Sequence, residues 1–298
     1  MEGMARSSDK SITLVLFRGP HFPASHNYAK GYLQNYPSIK VFLHFSLRIH
    51  FLHYCFRNVI ALFEVTSVAV VEQSVYEMIA SGVDIDALTN CAIKAARILG
   101  DVSGNAASCA ELSIYLMLGL LRKHIGLFNL IPDMPTGETL LGKTVFISGF
   151  GNIGVELAKR LRPFGVKIIA AKRSWASHSQ DDDDLVDENG CREDIFGFAS
   201  KADIVGSLLV NIVRGGLLDY EVVAHYLESG HLGGLGLDVA WTKPFDPNNP
   251  ILKFQIVLIT PHVGGVTEHS YRSTAKVVGD VALQLHAGTP LRGIEPVN

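Results

Sequence analysis

A β-type apolar run, Thr144–Ser148, passes without interruption into Gly149-Phe150-Gly151-Asn152-Ile153-Gly154, and a helical pattern follows at once. Few chains with this G-x-G-x-x-G spacing between a strand and a helix can fold any other way than as a βαβ unit. The first glycine permits a tight turn, the second lets backbone approach a pyrophosphate, and the third lets the helix pack closely on the strand. Val155–Phe164 reads as the helix, Gly165 stops it, and Val166–Ala171 is a second buried strand. Phosphates in such a unit face a helix N-terminus, which favours anions. Gly149, Gly151, Asn152, Ile153 and Gly154 are therefore candidate dinucleotide contacts.

Three more apolar runs downstream each end in a polar signature. Ser207–Ile212 leads to Val213-Arg214-Gly215-Gly216, Leu235–Val239 carries Asp238, and Ile256–Ile259 leads to Thr260-Pro261-His262. Open parallel sheets bind ligands beyond the carboxyl ends of their strands. Arg214, Asp238 and His262 are thus expected to gather near the glycine turn. The end of the second strand bears on the choice of dinucleotide. Folds specific for NAD usually carry an acidic residue there for the ribose hydroxyls, whereas this chain has Lys172, Arg173 and Ser174, 18 to 20 residues past Gly154. A cation there suits a 2′-phosphate, which favours NADPH over NADH.

Before this region, Ser11–Phe17 reads as a strand, Pro20–Pro23 as a turn, and Ala24–Asn35 as a helix. Asp84–Leu88 opens a short helix, Ile93–Ile98 is a strand, Asn105–Lys123 is an amphipathic helix, and Pro132–Thr139 is a linker. Val41–Val71 is rich in aromatic and β-branched residues, but Arg48, Arg57, Glu64 and three histidines make it a poor membrane span. It reads as irregularly patterned core or as sequence foreign to the fold. His44, His50 and His53 have no carboxylate or cysteine at ligand spacing, so no metal site is assigned. The acidic run Asp181–Asp184 reads as solvated surface.

Composition removes other classes. A 298-residue chain with 48% hydrophobic content can build two domains. Its formal charge of −3 and scattered lysines and arginines leave no footprint for nucleic acid. Cys55, Cys91, Cys109 and Cys191 show no C-x-x-C spacing, which fits reduced thiols in a cytoplasmic protein better than a disulfide framework or zinc site. Residues 1–10 lack the apolar stretch of a secretory signal.

Together GFGNIG, NIVRGGLLDYEVVAHYLESGHLGGLGLDVAW and TPHVGG resemble the D-isomer-specific 2-hydroxyacid dehydrogenases, a family that includes hydroxypyruvate, glyoxylate and hydroxyphenylpyruvate reductases and phosphoglycerate dehydrogenase. The likeness is dense over residues 105–298 and thin before Gly82. It implies an α/β protein in which a doubly wound parallel sheet, the Rossmann nucleotide domain of residues 105–267, is inserted into a flavodoxin-like substrate domain made of residues 1–104 and 268–298. It also implies a homodimer. The implied reaction passes a hydride from a nicotinamide to C2 of a 2-oxo acid, giving a D-2-hydroxy acid. In that reading Arg214 grips the substrate carboxylate and carbonyl through its planar fork, His262 is the acid/base, and Asp238 positions the nicotinamide amide.

The chain departs from the family pattern in three places, as a truncated or alternatively spliced member would. The family's glutamate partner of the histidine falls at Lys243, 29 residues after Arg214. A cation beside imidazole disfavours its protonated form. Asp246 is the nearest replacement carboxylate. Lys201–Val205 resembles a family strand, yet the next strand follows after Gly206 alone, too soon for a parallel crossover. One fused strand, Asp203–Ile212, is the expected outcome. The family's Gly-Val-Gly substrate loop, due before Gly82-Val83-Asp84, is replaced by Met78-Ile79-Ala80-Ser81. These departures leave open a second class, a catalytically inactive dinucleotide-binding regulatory protein.

Overall fold

The computed structural model describes residues 13–18, 22–37, 39–42, 58–64, 86, 90, 94–98, 104–123, 136–175, 184–204, 207–242 and 244–296. In chain order its elements are β1 (Thr13–Arg18), α1 (Phe22–Tyr32), β2 (Ile39–Phe42), β3 (Asn58–Glu64), β4 (Lys94–Ile98), α2 (Asn105–Leu121), β5 (Thr144–Ser148), α3 (Asn152–Leu161), β6 (Lys167–Ala171), β7 (Glu188–Gly190), α4 (Ile195–Lys201), β8 (Leu208–Asn211), α5 (Tyr220–Glu228), β9 (Gly234–Leu237), β10 (Val257–Ile259), α6 (Glu268–Ala287) and β11 (Ile294–Pro296). They fall into two units, residues 1–104 with 268–298, and residues 105–267.

In the first unit the sheet runs β2-β1-β3-β4-β11. Counted in chain order this is 2-1-3-4-5, the flavodoxin-like arrangement. The first four strands are parallel and β11 is antiparallel to β4. Helices α1 and α6 pack together, with Ala29 and Leu33 in one core with Ala275, Val278, Val281 and Ala282. Tyr32 donates to Asp280 Oδ1 at 2.7 Å across them.

The stretch Val41–Val71 proves not to be foreign to the fold, because it supplies the end of β2 and all of β3, the two neighbours of β1. Its β-branched and aromatic content is strand composition. His44, His50, His53 and Met78-Ile79-Ala80-Ser81 lie outside the described residues, as does most of Asp84–Leu88, of which only Asp86 is described.

The second unit is the doubly wound one. Among the described residues, two parallel three-stranded ladders, β7-β6-β5 and β8-β9-β10, meet at Ile204, which bridges Val145 on one side and Leu208 on the other, with Asp203 N donating to Thr144 O at 2.9 Å beside it. Side chains alternate with period two. Val145, Ile147, Ile168 and Ala170 share a core with Met117 and Leu121 of α2 and Leu157 and Leu161 of α3. Phe146, Ile169 and Ala171 face Phe198 of α4 instead. Leu235 and Leu237 pack with Val223 and Leu227 of α5. Burying each such side chain contributes about 1.5–3 kcal/mol, so both faces of the sheet are held.

The fused strand Asp203–Ile212 does not form. Ser207 N and Leu208 N both donate to Asp203 O at 3.1 Å, so the chain folds back there. A straight strand would put Leu208 about 13 Å beyond Ile204, at ~3.3 Å per residue. Ile204 pairs with Val145 while Leu208 pairs with Gly234. These pairings coexist only if the chain doubles back, which leaves the strand between β5 and β8 one residue long and gives it no crossover helix.

Candidate active site

The turn after β5 takes the shape its glycines permit. Gly149 has φ +100°, a region most side chains avoid. A Cβ on Gly154 would stand 2.7 Å from Gly149 O, so only glycine lets α3 approach the turn this closely. At Gly151 a Cβ would meet nothing within 4 Å, and this residue starts α3 in extended conformation with no side-chain cap. The first N–H groups of α3 therefore point from an open cradle, which fits the diphosphate of a dinucleotide. Asn152 is exposed and Ile153 half-buried.

The end of β6 is stitched to this turn. Ala171 O accepts from Gly149 N at 3.0 Å and Phe150 N at 3.1 Å. Lys172 follows, half-buried, with Arg173 and Ser174 exposed.

On the other half of the sheet, β8, β9 and β10 pair in register, Asn211 with Leu237 and Leu237 with Ile259. Arg214 lies three residues past Asn211, Asp238 one past Leu237, and His262 three past Ile259. All three sit at the carboxyl ends of adjacent strands. The register Val145–Ile204–Leu208 puts Ser148 level with Asn211. The glycine turn therefore opens on the same edge, two strand spacings or about 9.6 Å from β8. A cavity of about 320 Å³ lined by Leu120, Lys143, Asp203, Ser207, Gly233 and Gln255 lies at the amino ends of these strands, on the opposite edge.

Asp238 is 1% exposed and ties down the histidine loop. Its Oδ1 accepts from the Thr260 hydroxyl at 2.6 Å and Val263 N at 2.8 Å, and its Oδ2 from Gly264 N at 2.8 Å. Between these anchors His262 is held at φ +59°, a left-handed conformation uncommon outside glycine. Arg214 is half-buried and donates through Nη1 to Val213 O at 2.7 Å.

Asn211 was not singled out in the sequence. It is buried, its Nδ2 donates to Arg214 O at 2.7 Å, and its Oδ1 accepts from Val213 N at 3.0 Å. Its carbonyl accepts from Asp238 N at 3.0 Å, so one residue links the arginine turn to the aspartate. A polar residue closing an apolar strand was the available signal. Lys243 lies outside the described residues. Asp246 Oδ1 accepts from Asn248 N at 2.9 Å, which commits that carboxylate to its own turn.

A doubly wound α/β unit with an open glycine cradle and polar strand ends defines a dinucleotide-binding class. The chain belongs to the D-isomer-specific 2-hydroxyacid dehydrogenase family. The family's NAD-binding domain matches in two pieces, residues 129–208 and 205–264, which meet where the crossover is missing. The chain is 28% identical over 235 residues to a D-3-phosphoglycerate dehydrogenase of Bacillus subtilis, covering 70% of this chain and 44% of the relative. It is 31% identical over 204 residues to a hydroxypyruvate reductase of Thermotoga maritima, covering 60% and 66%. It thus spans about half the length of the curated relatives it matches, 44% and 58% of two of them. The solved D-isomer specific 2-hydroxyacid dehydrogenase of Lactobacillus delbrueckii ssp. bulgaricus, in NAD complexed form, shares the fold with TM-score 0.69 at 17% identity, covering 95% of this chain and all of that one.

Proposed function

We propose that this chain is an NAD(P)-dependent oxidoreductase that interconverts a 2-oxo acid and a D-2-hydroxy acid. The observation that carries this reading is the placement of Arg214, Asp238 and His262 at adjacent strand ends, level with an open glycine cradle. The nicotinamide cofactor, when bound, supplies the hydride. Gly151, Asn152, Ile153 and Gly154 hold its diphosphate through backbone N–H groups, on the turn that Gly149 permits. Arg214 binds the substrate carboxylate and carbonyl with its guanidinium. His262 gives a proton to the carbonyl oxygen in reduction and takes it back in oxidation, which suits a group with an ordinary pKa near 6.5. Asp238 keeps the histidine loop in place and orients the nicotinamide amide. Residues 105–267 serve as the nucleotide domain and the remainder as the substrate domain.

NADPH is the preferred cofactor on the strength of Lys172, Arg173 and Ser174 in place of a carboxylate. The family resemblance supports a homodimer. Cys109 and Cys191, which form no disulfide, are in keeping with the cytoplasm. Lys243 in place of the family's glutamate favours a second reading, a regulatory protein that binds the dinucleotide without turning it over.

Titrating purified protein with NADPH and NADH by fluorescence, then adding hydroxypyruvate, glyoxylate or hydroxyphenylpyruvate, separates these readings. Oxidation of the cofactor supports the reductase, binding without oxidation selects the regulator, and no binding defeats both.

A further inference from the structure

Trp175 has no part in the reading above, yet its side chain is tied on three sides beside the glycine turn. Its Nε1 donates to Gly190 O at 2.9 Å, fixing it to the end of β7. Its ring stacks on Phe150, centroids 5.5 Å apart at 29°. Phe150 is fully buried and belongs to the turn itself. The Lys172 ammonium lies over the indole, 6.0 Å from its centroid, and Lys172 N donates to the same Gly190 carbonyl at 3.1 Å. The turn, the end of β6 and the end of β7 are thus clamped around one aromatic ring, with a cation resting on it. A lysine carries its charge on a flexible stem with many rotamers. An aromatic face that attracts it narrows that freedom before any ligand arrives.

We propose that Trp175 is a positioning residue for cofactor choice: it holds the Lys172 ammonium at the carboxyl end of β6, where the 2′-phosphate of a 2′-phosphorylated adenine dinucleotide binds. This rests on the reading of the glycine turn as a dinucleotide site with an NADPH preference. The discrimination comes from charge. A phosphate beside a placed ammonium gains a charge-assisted hydrogen bond, whereas an unphosphorylated ribose gains none from it.

The test is calorimetric titration of the full chain with 2′,5′-ADP and with 5′-AMP, so that catalysis is not required. Wild type is expected to prefer 2′,5′-ADP by about tenfold or more. Trp175→Leu should weaken 2′,5′-ADP by about two- to fivefold, the worth of an exposed cation–π contact, and leave 5′-AMP unchanged. Trp175→Phe, which keeps an aromatic face, should restore most of the loss. Near-ultraviolet circular dichroism of each variant checks that the fold is intact. Equal weakening of both nucleotides, or of neither, in Trp175→Leu overturns the proposal. Equal affinity of wild type for the two nucleotides also overturns it, while leaving the dinucleotide site standing. Binding of neither nucleotide defeats the site and the proposal together.

Discussion

Replacing Asp238 by asparagine keeps the shape of the side chain and removes its charge, which makes it a sharp probe of the histidine loop. The carboxylate takes three donors, Thr260 Oγ1 and Val263 N on one oxygen and Gly264 N on the other. The better orientation of the introduced amide keeps its oxygen on the first pair and turns its NH2 toward Gly264 N. One hydrogen bond to a charged group, worth about 1.5–3 kcal/mol, is then lost, and a buried donor left unpaired costs about 1–3 kcal/mol. With Asp238 at 1% exposure water offers no relief, and the expected destabilisation is about 2.5–6 kcal/mol. Urea unfolding followed by tryptophan fluorescence reports on the right unit, because both tryptophans of the chain, Trp175 and Trp241, lie within residues 105–267. With a urea slope near 2 kcal/mol/M, the midpoint should fall by about 1–3 M. Loosening should also free His262 from φ +59° and lower reductase turnover more than NADPH affinity. A midpoint shift under about 0.3 M would mean that the carboxylate does not carry the loop.

Gly154→Ala should weaken NADPH binding at least about tenfold and cost about 1–3 kcal/mol by overpacking, since its methyl would stand 2.7 Å from Gly149 O; fluorescence titration and melting check both. Lys243→Glu should raise kcat/KM toward a 2-oxo acid and move the loss of reductase activity to higher pH, because a carboxylate near His262 favours the protonated imidazole, each pKa unit being about 1.4 kcal/mol; an unchanged pH–rate profile would mean that residue 243 does not meet the histidine. Burial pushes the Asp187 carboxyl up, but the Ile168 N–H at 2.7 Å and the Arg162 guanidinium at 2.9 Å outweigh it and hold the pKa below the usual aspartate value. A carboxyl lowered by folding stabilises fully above its unfolded pKa of about 3.9 and loses that contribution as pH falls through the folded value. Thermal melts of Asp187→Asn should therefore differ from wild type most at pH 7 and converge as the pH falls through the lowered folded pKa.

The parts of the fold that announced themselves were those where local chemistry and tertiary role agree. Thr144–Gly154 carries a strand, a turn and a helix start in consecutive residues, and all three formed. Asn105–Leu121 is long enough for its apolar period to stand out. The three-residue edge strand β7, Glu-Asn-Gly, has no apolar signal at all, since its pairing comes from backbone bonds to β6. The reversal at Asp203–Leu208 was hidden because the residues of a parallel pair and of one long strand look alike. What decides between them is a register with Val145 and Gly234 that no local window contains. Within the site, Arg214, Asp238 and His262 were legible as polar ends of apolar runs. Asn211 carried the same signal, but what it and Trp175 hold was not legible, because it lies in which backbone carbonyls they reach.

Among the described residues the two ladders are joined by Asp203 and Ile204. A sheet normally passes strain sideways through every rung, but between β5 and β8 the described residues offer the Asp203–Ile204 pair alone. The stiff element that spans the seam is α2, which packs on α3 and on β8, β9 and β10. It acts as a splint over a jointed plate. The glycine turn sits on one ladder and Arg214, Asp238 and His262 on the other, so the spacing between them depends on what holds the ladders side by side. Leu116 and Leu120, buried on the splint against Gly234 and Gly236 of β9, are far in sequence from the strands whose spacing they hold.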